Sequence, residues 1–399
     1  MKLSYKHTLF ASYTGYITQA IVANLAPLLF LTFQRSFGIT LGQIGFLVTL
    51  NFLVQTLVDF LAAKFIDRIG YRIPVVMAHV TAVIGLVGLS AFPFFFPSAY
   101  AGLITATVFY AIGGGLIEVL VSPIVEALPN DQKASAMSLL HSFYCWGQVS
   151  VVLFSTLFFV TVGIDRWYIL PLLWAIIPLI NAFVFAKVPI NIYGEGGEHF
   201  SFKRLFGMKF FWLFIILMIC SGASELAISQ WSSLFAESGL KVSKTIGDLL
   251  GPCLFAVLMG VSRVFYGKFG EKINLANFIE LCGLLCVGGY LLTVLSPFPI
   301  LSLIGCGICG LAVGIMWPGT LSLSARYCPQ GGTAMFALLA LAGDIGCSSG
   351  PSVVGLISER FADTELGLKI GIGCAAVFPV LMLVCIGILK RRLKAHAEN

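Results

Sequence analysis

The sequence predicts an all-α polytopic membrane protein, with twelve transmembrane helices arranged as two six-helix pseudo-repeats. Three observations predict it: a composition unsuited to a water-facing surface, twelve apolar stretches of membrane-crossing length, and matching motifs on either side of a polar midpoint. Hydrophobic residues make up 58% of the 399 and charged residues only 11%, with a mean hydropathy of +0.97. A soluble domain carries roughly 25% charged residues, because its surface must face water. The 34 Phe and 42 Gly suit a bilayer, where Phe meets acyl chains and small residues let helices approach closely. This composition excludes a soluble dehydrogenase, a nucleic-acid binder and a disulfide scaffold.

The apolar spans, numbered in order, cover 8–33, 42–63, 73–95, 100–126, 134–161, 167–187, 209–236, 245–267, 275–295, 299–325, 332–358 and 366–389. Each reaches the roughly 20 residues needed to cross a bilayer. Span 1 carries polar residues and no small-residue cleavage pattern after a short apolar run, so it reads as a retained helix rather than a signal peptide. Spans 1 and 2 hold the amides Gln19, Asn24, Asn51 and Gln55. Span 4 carries Glu118 and, one turn on, Ser122; span 5 repeats His141, Tyr144 and Gln148 at helical spacing, a polar stripe that lipid would not tolerate. Span 7 holds Glu225, Gln230 and Trp231, span 10 holds Trp317, and span 11 pairs Asp344 with Ser348.

The eleven Cys fall almost entirely inside these spans, where they read as small packing residues. Cys306-Gly-Ile-Cys309 has redox or metal spacing but lacks a second pair, so no metal site is expected. Span 11 also contains Gly346-Cys347-Ser348-Ser349-Gly350, a match to the hydrolase elbow. That chemistry needs a strand-to-helix turn, so Gly346 and Gly350 read instead as a close-packing face before Pro351. With no phosphate loop or metalloprotease motif, the sequence points to no catalytic residue, no cofactor and no enzyme.

Lys and Arg divide eighteen to six between alternating sides of the spans. The poorer side has only Arg35, Arg166, Lys241, Lys244, Arg360 and Lys369. The positive-inside rule then puts both termini, with Lys203 and Lys394, in the cytoplasm of a multi-pass cell-membrane protein. The net charge of +6 is therefore topology and implies no nucleic-acid partner.

The longest polar interruption, 189–208, reads as a cytoplasmic linker between an N-terminal half, 1–188, and a C-terminal half, 209–399. The halves share motifs. Gly115-Leu116 before Pro123 matches Gly310-Leu311 before Pro318, and Ala136-Met137 before Leu139-Leu140 matches Ala334-Met335 before Leu338-Leu339. Asp67-Arg68 after span 2 has its counterpart in Glu271-Lys272 after span 8. Two parallel halves of this kind are a transporter architecture.

The loop after span 2 reads Ala63-Lys64-Phe65-Ile66-Asp67-Arg68-Ile69-Gly70-Tyr71-Arg72. It resembles the signature loop of the major facilitator superfamily, Gly-x-x-x-Asp-Arg-x-Gly-Arg-Arg, with Ala63 for the first Gly and Tyr71 for a basic residue. The resemblance implies a cytoplasmic gate built from Asp67, Arg68 and Arg72, with Arg263, Glu271 and Lys272 as the counterpart in the second half. A narrower likeness exists to the fucose permease group of sugar:proton symporters. It rests on Gly115-Leu116-Ile117-Glu118 with Pro123, on Gly310-Leu311 through Ile315-Met316-Trp317-Pro318 and Ser322-Leu323, and on Phe33-Gln34. That group uses an acid in helix 1 and a Glu in helix 4 for sugar binding and proton coupling; the second matches Glu118, while the first falls on Pro27.

An ionised side chain at mid-bilayer costs roughly 2.5–3.5 kcal/mol on insertion scales, so those retained there are functional candidates. Glu118, His141, Glu225 and Asp344 stand well inside spans, whereas Asp59, Glu126, Asp248 and Glu280 lie nearer span ends, where solvated or gate-closing roles are expected. In the resembled fold, helices 1, 4, 7 and 10 line a central cavity. Proton coupling is therefore assigned to Glu118, with Asp344 and Glu225 as sharers. Substrate binding is assigned to Gln19, Asn24, Asn51, Gln55, His141, Tyr144, Gln148, Glu225, Gln230, Trp231 and Trp317. Aromatic planes beside amides and carboxylates suit a polyhydroxyl ligand, with C–H faces to pack and hydroxyls to satisfy. The expected activity is proton-coupled uptake of a monosaccharide or related polyol by a monomeric carrier. A proton-driven exporter of drugs or metabolites is the alternative, although the Gly-Pro motif common in exporters is absent after Gly147. Substrate, direction and coupling ion stay open at this point.

Overall fold

A bilayer offers no water to backbone N–H and C=O groups, so a chain of these spans must satisfy them within each helix. The computed structural model describes residues 3–128, 133–190, 202–208, 210–269, 273–328 and 332–397, and among them only helices and turns occur. Among the described residues, twelve helices are long and apolar enough to cross a membrane. They are α1 Tyr5–Phe37, α2 Leu41–Ala62, α3 Arg72–Phe95, α4 Ala99–Val125, α5 Leu139–Thr161, α6 Ile164–Lys187, α7 Phe211–Gly239, α8 Lys244–Tyr266, α9 Leu275–Leu295, α10 Pro299–Ser324, α11 Leu338–Ser358 and α12 Thr364–Arg391.

Several of these helices are interrupted, and proline explains most of the breaks. Pro27 has no N–H and its ring crowds the carbonyl one turn back, so α1 passes through a 3₁₀ turn at Ala26–Leu29 between two α-helical segments. It therefore runs to Phe37, four residues beyond the expected span, and stops at Gly38, whose φ of 66° closes the helix in the left-handed region. In α8, Pro252 sits in a π turn, Leu249–Cys253, and in α12 the helix breaks at Ala376 ahead of Pro379. A second π turn, Phe235–Gly239, ends α7 without any proline.

The chain forms two compact units, Met1–Glu195 and Gly196–Asn399. In the first, α1 packs on α4, α5 and α6, α4 packs also on α2 and α3, and α3 packs on α6. In the second, α7 packs on α10, α11 and α12, α10 packs also on α8 and α9, and α9 packs on α12. Adding six to each helix number converts the first set into the second, so the sequence repeat is also a repeat of packing.

Small residues permit the tightest of these contacts. A Cβ on Gly85 of α3 would lie 2.6 Å from the Tyr110 Cβ of α4, closer than real Cβ atoms come. On α11, a Cβ on Gly350 would lie 2.8 Å from the Ala223 Cα of α7, and Gly346 meets the Ile219 carbonyl one turn away. The hydrolase-like string thus forms a helix-packing face. Cys306 and Cys309 are buried thiols of α10, with Cys309 Sγ 3.6 Å from the Cys286 carbonyl of α9.

Candidate functional site

Polar side chains inside the first unit form a ladder along α1. Tyr16 OH and Ser122 Oγ of α4 hydrogen-bond at 3.0 Å. One step on, Gln19 Nε2 donates to Glu118 Oε2 at 2.6 Å. Asn24 Nδ2 donates to the Ala20 carbonyl at 3.0 Å and reaches Tyr144 OH of α5 at 3.5 Å. Gly147 lets α5 approach α1, since a Cβ there would lie 2.8 Å from the Ala20 Cβ. The ring of His141 stands edge-on to Tyr16 at 5.2 Å, and Tyr13 stacks on Phe143 at 4.5 Å. The structure therefore brings Gln19, Asn24, Glu118, His141 and Tyr144 to one seam of α1, α4 and α5.

The amides of α2 stand beside this seam. Gln55 Nε2 donates to Asn51 Oδ1 at 3.1 Å, and both residues are buried. The glycines of α4 make room: a Cβ on Gly115 would lie 3.1 Å from the Gln55 Cα and 3.3 Å from Asp59 Oδ1. Gln148 is buried on α5, whereas His141 on the same stripe is exposed.

In the second unit the ionisable groups cluster around α7. Glu225 is 9% exposed and lies within electrostatic range of Arg263 on α8. Arg263 Nε donates to the Gly314 carbonyl of α10 at 3.2 Å, which ties α8 to α10. Asp344, 3% exposed, follows Gly343, where the Trp317 ring of α10 lies against the α11 backbone. Gln230 is buried at the end of the straight part of α7. Trp231 is fully buried and its indole N–H donates to the Pro351 carbonyl at 3.1 Å, which makes it a tie between α7 and α11.

The gate residues divide. Arg72 is ordered: its guanidinium donates to the Phe185, Ala186 and Val188 carbonyls at 3.1, 2.8 and 2.9 Å. These are free carbonyls at the C-terminus of α6, so Arg72 is a helix cap within the first unit. The side chains of Asp67, Arg68, Lys203 and Lys394, and residues Glu271 and Lys272 altogether, lie outside the described residues.

Two features escaped the sequence reading. His79 of α3 is fully buried: its Nδ1–H donates to the Val75 carbonyl at 2.7 Å, and its Nε2 accepts from Asn181 Nδ2 of α6 at 2.8 Å. Asn181 also donates to the Ala11 carbonyl at 3.0 Å, tying three helices together. The signal was available, since His79 and Asn181 are isolated polar residues in apolar spans. The second is the burial of Asp248, for which a solvated or gate-closing role at a span end is expected: it is fully buried, accepts from Ser233 Oγ at 2.5 Å and pairs with Lys244 at 3.2 Å. Glu280, from the same group of end residues, pairs with Lys390 of α12 at 2.5 Å.

The sequence profile described as Major Facilitator Superfamily matches residues 9–351. No curated protein sequence matches the chain. Among solved structures, a bacterial homologue of the human lysosomal transporter Spinster, inward-facing and occupied, aligns with TM-score 0.79 at 16% identity, covering 98% of each chain. A D-xylose-proton symporter aligns with TM-score 0.74 at 15% identity over 94% of this chain and 95% of its own. The nucleoside transporter NupG aligns with TM-score 0.75 at 12% identity over 96% and 98%. At these identities the likeness is one of fold.

Proposed function

The chain belongs to the Major Facilitator Superfamily, and from that premise we propose that it is a proton-coupled carrier of a small neutral polyol, a monosaccharide or a close relative. The observation that carries this reading is the Gln19–Glu118 pair, a carboxyl retained inside a membrane span and held by an amide at 2.6 Å. A carboxyl there incurs a desolvation cost when ionised, and protonation removes it. The loaded, neutral form is then the one that reorients, and loss of the proton on the far side gives the cycle direction. Amides and hydroxyls from α1, α4 and α5 supply the mixed donors and acceptors a polyol needs, with aromatic rings beside them for its C–H faces.

Two further points support the polyol. Glu118 occupies the helix 4 position that the fucose permease resemblance assigns to coupling. Two of the structural neighbours are described as carriers of D-xylose and of nucleosides, both sugar-ring compounds. In this reading the bodies that move in alternating access are 1–188 and 209–399, joined by the cytoplasmic segment 189–208. Glu225 and Asp344 are the second-half carboxyls that share the proton, and the carrier works as a monomer in the cell membrane.

Purified protein in liposomes tests it. With an outward-alkaline or inward-alkaline gradient imposed, labelled D-xylose, D-galactose and mannitol are offered beside amino acids and lipophilic cations. The expected result is polyol accumulation on the alkaline side, abolished by a protonophore. Movement of a lipophilic cation toward the acidic side, with no polyol flux, replaces this reading with the exporter.

A further inference from the structure

Gln19 is only 7% exposed, yet its Oε1 has no hydrogen-bond partner among the described residues. Its other end is committed, because Nε2 donates to Glu118 Oε2 at 2.6 Å and an ionised carboxylate can accept donors only. The polar groups along the seam have partners of their own. Tyr16 and Ser122 bond each other, and Asn24 Nδ2 is engaged with the Ala20 carbonyl. A buried acceptor left without a partner is a place for a ligand donor.

We propose that Gln19 is a substrate-contacting switch: its amide oxygen receives a hydroxyl of the transported polyol, and its amide orientation reports the protonation state of Glu118 to that hydroxyl. The proposal rests on the reading of the chain as a proton-coupled polyol carrier and adds the residue through which proton and substrate communicate. The logic is that of a two-ended group. While Glu118 is ionised it holds the N–H end of Gln19, and the ligand meets an acceptor. Once Glu118 carries a proton, its O–H can donate to Gln19 Oε1 after a half-turn of the amide. The ligand then meets the NH₂ end, a donor. A sugar hydroxyl can meet either state, donating to the oxygen in one and accepting from the NH₂ in the other, and because those two bonds differ in strength and geometry its binding varies with pH; a ligand with only donors or only acceptors fits one state. No bond other than hydrogen bonds is made or broken, and the only transfer is the proton gained by Glu118 from solvent. Other titratable groups stand on the elements packed around the pair: Tyr16 on α1, Asp59 on α2, His79 on α3, and His141 and Tyr144 on α5. Variants Asp59→Asn and His141→Gln are therefore the controls for any pH effect.

The test uses the purified full chain in nanodiscs. Infrared difference spectra on acidification assign the Glu118 carboxylic C=O band by its loss in Glu118→Gln. In Gln19→Leu that band is expected at higher frequency, because the amide bond to it is gone. Equilibrium binding of D-xylose, D-galactose and mannitol is then measured at acid and alkaline pH. Gln19→Leu is expected to weaken binding by roughly tenfold, the loss of one hydrogen bond, and to flatten the pH dependence as Glu118→Gln does. The double variant should lose no more than the single ones, as for residues acting as a unit. Gln19→Met, which keeps length and flexibility, serves if Gln19→Leu does not fold. An unmoved infrared band overturns the switch whatever binds. A moved band with wild-type affinity and pH dependence also overturns it, because Oε1 is then met by water alone. If the band moves but no polyol binds the wild type, the polyol assignment of the ligand is overturned, while the Gln19–Glu118 link is supported.

Discussion

Single side chains in this protein act mainly by joining helices. Asn181 is the clearest case, since one amide nitrogen serves both His79 and the Ala11 carbonyl. Replacing it with Leu leaves the His79 ring nitrogen unpaired in a buried place and removes the second donor to the Ala11 carbonyl, a cost of about 1–3 kcal/mol. Asn181→Leu should therefore unfold at lower temperature in detergent while binding ligand normally; unchanged thermal stability would show that the node contributes nothing. The seam around Glu118 shows how far residues could be read from sequence. Gln19, Glu118 and Tyr144 were picked out as polar residues in apolar spans, and they do come together. Their partners were not legible. Which residues meet depends on how each helix is rotated about its axis, and a span apolar on every side carries no periodic mark of its inward face. The same holds for Trp231, whose indole N–H donates to the Pro351 carbonyl, a partner that the span's composition does not mark.

At the scale of elements, sequence and structure agree on the twelve spans and differ on their regularity. Hydropathy sees length and apolarity, and both survive a 3₁₀ or π turn. Pro27 and Pro252 sit in two of the interruptions, whereas the π turn at Phe235–Gly239 contains no proline. Packing between elements rests on glycine contacts that can be tested directly. Gly350→Val would drive two methyl groups into the α7 backbone at Ala223 and should cost about 1–3 kcal/mol as overpacking. A thermal melt equal to the wild type would contradict that contact. The cap on α6 makes a different prediction. Arg72 reaches three carbonyls through a planar fork, which a single ammonium cannot imitate. Arg72→Lys should lower thermal stability modestly and slow transport more than it weakens equilibrium binding. Unaltered stability and turnover would remove the cap from the account.

The whole molecule is a duplicated design, and the duplication was readable because both its motifs and its spans repeat at nearly the same interval. The packing order confirms that repeat inside each unit. The Lys and Arg distribution predicts a sidedness that labelling can test: single cysteines introduced at Lys203 and Lys394 should react with a membrane-impermeant thiol reagent only after cells are opened. Labelling from outside intact cells at either position would reverse the topology. The central claim, that Glu118 carries the coupled proton, is met most directly by Glu118→Gln in liposomes, with exchange and accumulation measured on the same preparation. Glutamine keeps the shape and fixes the neutral state, so loaded carriers can still reorient but no proton is released to drive the cycle. The account predicts exchange of labelled polyol at close to the wild-type rate, together with complete loss of accumulation against a gradient. Accumulation equal to wild type, with the same dependence on pH, would contradict it and pass the role to Asp344 or Glu225.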